Sequence, residues 1–105
     1  MKIIRMQEIE GFRTPSGVLA KELLNHKHVQ VMNINLQSGD KIPPHSVPVD
    51  VFFYIVSGTG TITIGDKSKV VETTDIVICP PQTSMSLAAD QDQPFVVLNV
   101  KTPSI

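Results

Sequence analysis

Between Asp50 and Val56 the chain reads Asp-Val-Phe-Phe-Tyr-Ile-Val, β-branched or aromatic at every position after the aspartate. Residues of this kind fit a pleated, packed surface. Successive side chains of a strand point to opposite faces, so Val51, Phe53 and Ile55 share one face, and Phe52, Tyr54 and Val56 share the other. Both faces are apolar, whereas a strand wetted on one side would carry polar residues at every second position. The stretch therefore predicts a strand covered twice: by a core on one face, and by something that packs on the sheet from outside on the other.

The remaining sequence divides into further short strands. They are expected over residues 3–9, 18–24, 28–37, 61–64, 69–72, 75–79, 84–88 and 95–101, with a turn at Thr14-Pro15-Ser16-Gly17 and a two-residue hairpin at Gly65-Asp66. Pro43 and Pro44 cannot donate ladder hydrogen bonds, which places their segment at a sheet edge. In residues 29–36 the alternation changes phase between Val31 and Met32, as a bulged strand would. No segment shows helical period. Short strands separated by Gly and Pro turns imply an all-β sandwich or closed barrel, because closure removes exposed sheet edges. The length of 105 residues accommodates one core, so residues 1–105 are read as a single domain.

Composition excludes several partner classes. The nine basic residues are balanced by ten acidic ones and form no run, so nothing resembles a phosphate-binding stripe and nucleic acid is not an expected partner. No apolar run approaches the length of a spanning helix, so no membrane partner is expected. Cys79 is the single cysteine, and the start Met1-Lys2-Ile3-Ile4-Arg5 lacks the apolar stretch of a signal peptide, which makes the cytoplasm the expected compartment.

From Gly39 to Gly58 the spacing is specific: five residues stand between Gly39 and His45, and the apolar strand runs out of Pro43-Pro44-His45 and ends on Gly58. In this the chain resembles the cupins over roughly residues 24–100, and the resemblance implies an antiparallel β-barrel of the double-stranded β-helix, jelly-roll type. The first cupin motif holds a metal with a His-x-His pair and a Glu; here only His45 matches, with Val47 at the second His and Val51 at the Glu. The second motif is represented by Pro80 alone. Thr74 and Gln82 stand at its two glycines, Met85 at its His and Ala89 at its Asn.

The resemblance implies a lumen built from His45, Val47, Val51, Phe53, Met85 and Leu87, with Val49 and Ile55 on the same face if alternation runs unbroken from His45. A divalent ion needs about four N, O or S ligands, so His45 alone implies no bound metal. Adopting Asp50 as a substitute carboxylate would slip the strand by one residue and turn its whole inner face outward. The first expectation is a barrel that binds a small, partly apolar molecule, with His45 as its polar handle. The alternatives are a divalent-metal enzyme of dioxygenase or isomerase type with a non-standard ligand set including His45, and a structural or sensor subunit with a packed interior. Met85 and Cys79 read as core residues, and His26-Lys27-His28 as a surface loop end. Gly58-Thr59-Gly60 lies between strands and so is no phosphate cradle. The apolar outer face of residues 50–56 implies a homodimer.

Overall fold

The computed structural model describes all 105 residues, Met1–Ile105. A 3₁₀ turn at Met6–Glu8 is followed by β1 (Phe12–Arg13), β2 (Leu19–His26), β3 (Val29–Leu36), β4 (Lys41–His45) and β5 (Asp50–Ser57). Then come β6 (Thr59–Ile64), β7 (Lys67–Glu72), β8 (Ile76–Cys79), β9 (Met85–Ala89) and β10 (Phe95–Thr102). Two sheets form, one ordered β1-β2-β3-β10-β5-β8 and the other β4-β9-β6-β7. Every pairing is antiparallel. Phe53, Ile55, Leu36, Phe95 and Met85 are fully buried between the two sheets. This is the expected all-β, jelly-roll arrangement. No helix is long and apolar enough to cross a membrane.

Strand β5 follows its sequence pattern closely. Val51, Phe53 and Ile55 are buried in the core, while Phe52, Tyr54 and Val56 lie half-buried on the outer face. The hairpin joining β6 to β7 turns at Gly65-Asp66, with Ile64 opposite Lys67. Proline confines β4 to an edge, as expected, and its pairing with β9 shifts register between Ile42 and His45. Gly60 has a packing reason: a Cβ there would lie 2.5 Å from the Phe95 ring, so a side chain would displace a core aromatic.

Three expectations are corrected. Residues 3–9 form no strand; Glu8 N donates to Arg5 O and Ile9 N to Met6 O, giving a 3₁₀ turn held on β2 by a 3.0 Å hydrogen bond from Lys21 Nζ to Met6 O. The bulge lies not in β3 but in its neighbour, at Leu23 of β2, where the register passes from Glu22↔Met32 to Leu24↔Val31. Strand β3 pairs with β10 without interruption. Its apparent phase change arises because its outer face passes from Val29 and Val31 to Asn33 and Asn35. Asn33 is buried, Nδ2 donating to Val97 O at 3.2 Å and Oδ1 accepting from Asn35. Finally, alternation does not run from His45 to Val51. Residues 46–49 belong to no strand, so the two residues lie in opposite sheets.

The turns of the second motif are preserved in conformation although its glycines are gone. Thr74 has φ 73° and Gln82 φ 59°, and these are the two non-glycine residues of the chain with positive φ. This left-handed region costs an L-residue roughly 1–2 kcal/mol. Both are held by backbone bonds: Thr74 N donates to Ile55 O of β5 at 2.8 Å, and Gln82 N to Val47 O, in the segment between β4 and β5, at 2.7 Å. The positions assigned to the two glycines by spacing are thus the positions where the backbone demands their geometry.

Candidate functional site

A cavity of about 450 Å³ opens at one end of the space between the sheets. The inner face of the six-stranded sheet supplies Ala20, Met32, Ile34, Phe53, Asn99 and Lys101, and the opposing sheet supplies Ile42, Pro43, His45 and Leu87. Phe12 and the turn Thr14-Pro15-Ser16 complete the lining. Alternation explains the larger wall. Met32, Phe53 and Asn99 stand opposite one another across β3, β10 and β5, and so share the inward face.

Of the six residues expected in the lumen, the structure brings three to this cavity: His45, Phe53 and Leu87. Val51 and Met85 instead belong to the packed core, 2% and 0% exposed, and Val47 packs against that core from the segment between β4 and β5. The interior is therefore solid in part and open in part, with Val51 and Met85 packed directly across from the cavity residues Lys101 and His45. Apolar packing explains the difference, since Val51 and Met85 belong to one buried hydrophobic cluster that fills the positions where polar ligands would have needed room.

His45 lies exposed at the rim, opposite Met85 across the β4–β9 pair. Its Nδ1 is 3.1 Å from the Pro43 carbonyl oxygen. A carbonyl only accepts, so Nδ1 donates and the neutral ring keeps its lone pair on Nε2. An imidazole beside a thioether is a poor match for the His-rich oxygen and nitrogen site that the first and second motifs describe. No three His, Cys, Asp or Glu side chains gather anywhere in the fold.

Two polar residues of the cavity went unnoticed in the sequence. Asn99 and Lys101 continue the inward face begun by Phe95 and Val97 on β10. Asn99 is 4% exposed, and its Oδ1 accepts a 2.9 Å hydrogen bond from Lys101 Nζ. Burial pushes the Lys101 pKa below the ordinary lysine range, because withdrawing an ammonium from water disfavours its charged form.

The remaining candidates lie elsewhere. Cys79 is 1% exposed, with its Sγ donating weakly to Thr83 O at 3.4 Å, and burial raises its pKa, so the thiol form is favoured. His26 and His28 are exposed at the β2–β3 turn with ring centroids 6.0 Å apart, and neither lines the cavity. They do not share a strand face, because His28 lies in the turn, where its backbone N donates to His26 Nδ1.

Comparison with known proteins agrees with this architecture. The Cupin domain model matches residues 32–101, and the chain belongs to that family. The structure of KdgF from Halomonas sp. superposes with a TM-score of 0.89 at 15% identity, covering 99% of this chain and 96% of that one. A predicted oxalate decarboxylase from Thermotoga maritima gives 0.86 at 19% identity, covering 98% and 100%. An RmlC-like cupin family protein with a double-stranded β-helix fold from Methanocaldococcus jannaschii gives 0.79 at 24% identity, covering 98% and 91%. At these identities the likeness is one of fold. No curated protein matches the sequence.

Proposed function

We propose that this chain is a small cupin-domain protein that binds a small, partly apolar molecule in its lumen, without the family's usual metal ligand set. The observation that carries the reading is the cavity itself. Its volume of about 450 Å³ lies in the range of small-molecule sites, and its walls are largely apolar with a few placed polar groups, as such sites are built. The donors near His45 fall short of the roughly four that a divalent ion requires, so no metal chemistry is assigned. Titration with 1-octanol, followed by methyl resonances, tests the proposal. Met32, Ile34 and Ile42, which line the cavity, are expected to shift, while Ile55 and Val71 in the packed core stay in place. Shifts confined to the exposed Ile76 and Ile78 would sink the reading.

The protein is further proposed to be a homodimer that covers the outer face of β5 and β8. Phe52 stands opposite Ile78 and Tyr54 opposite Ile76, and the two isoleucines are 71% and 61% exposed. A continuous apolar patch at a sheet edge is a usual interface, and a second copy of the same patch satisfies it symmetrically. Sedimentation at micromolar concentration is expected to give twice the chain mass of 11.5 kDa. A monomer there, or an Ile78→Asp variant that sediments as the wild type does, would remove the argument.

A further inference from the structure

We infer that Lys101 makes the lumen selective for anions, so that its ligand is a small carboxylate with a hydrocarbon body. The inference rests on the lumen-binding reading and names its ligand class. Lys101 sits on the inner face of β10, at the wall of the apolar cavity, and the Asn99 amide oxygen is the protein acceptor for its three donors. The only other titratable side chain of the lining is His45, which carries either no charge or a positive one, and no carboxylate lines the cavity. Across the sheet, Lys101 faces Val51 on β5 and Gln30 on β3, both neutral. Glu22 on β2 is exposed and already accepts from Asn25 and Gln30. A partly desolvated ammonium without a counterion is unfavourable. Its lowered pKa has burial as its cause, with no neighbouring charge offsetting it. A carboxylate entering with its chain along Met32, Ile34, Ile42 and Leu87 supplies the missing charge and buries apolar surface in the same step.

The experiment compares octanoate with 1-octanol, which have the same carbon count and differ at one end. Calorimetric titration of the wild type is expected to show octanoate bound about tenfold more tightly, the factor that one charge-assisted hydrogen bond supplies. The preference is expected to vanish in Lys101→Met, an apolar residue of similar length, and to survive in His45→Ala. The Lys101 ¹³Cε resonance of the wild type is expected to move with octanoate and not with octanol, a readout that needs no variant. Equal affinity for the two probes overturns the inference and leaves lumen binding standing. A preference that persists in Lys101→Met also overturns it, by placing the anchor elsewhere. If neither probe binds the wild type, the lumen reading itself fails and the inference falls with it.

Discussion

Replacing Phe53 with alanine is expected to destabilise the protein by about 3–5 kcal/mol, through lost transfer energy and the cavity left behind. Its ring is fully buried, on the central stretch of β5 between Asn99 of β10 and Val77 of β8. It also belongs both to the core and to the cavity wall. Collapse around the gap is limited because both neighbouring strands are fixed by ladder bonds. His45→Ala, by contrast, removes an exposed ring with one local hydrogen bond, and is expected to cost less than about 1 kcal/mol. Urea denaturation of the two variants beside the wild type measures both. Should His45→Ala lose several kcal/mol while Phe53→Ala loses little, the division of the interior described here would be wrong.

The second large effect concerns metal. The wild type is expected to carry no stoichiometric transition metal after purification, and the triple variant Val47→His, Val51→Glu, Met85→His is expected to carry about one ion per chain. Met85 already stands opposite His45, so its replacement adds a donor beside the existing imidazole. Val51→Glu brings a complication that the register makes explicit. Lys101 is directly across from position 51 on β10, so the new carboxylate faces an ammonium that competes with the ion. Adding Lys101→Met is therefore expected to tighten metal binding in the triple variant. Elemental analysis decides the matter. One metal per chain in the wild type would favour an enzyme with an unusual ligand set, and a triple variant that stays empty would count against the assignment of positions 47, 51 and 85 to one centre.

The contrast between what could and could not be read from the sequence follows from the range of each signal. Strand β5 was legible because six consecutive residues, Val51 to Val56, agree, and the face that carries Val51, Phe53 and Ile55 is the one the fold buries. Extending that alternation back to His45 failed because parity is a property of one unbroken strand, and residues 46–49 leave the sheet. The bulge was placed one strand away from its true position. A sequence pattern registers which faces are covered, whereas the extra residue depends on a pairing partner that one strand does not specify. Asn99 and Lys101 were missed although their spacing was visible, since polar residues near the end of an apolar strand ordinarily mark its exit into water. Only the opposing sheet, with Ile42 and Leu87, shows that this strand end still faces a cavity. The N-terminal residues carried a β-like composition, but the pairing that would use it is made instead by β1 with β2.

The left-handed turns at Thr74 and Gln82 bear on how relatives of this chain can be recognised at all. Their torsions are imposed by bonds to Ile55 and Val47, not by the side chains that occupy them. A signature written in residue letters, with glycine required at both places, passes over any descendant that has exchanged them. One written in backbone dihedrals, demanding positive φ at the same two points of the loop register, would retain it.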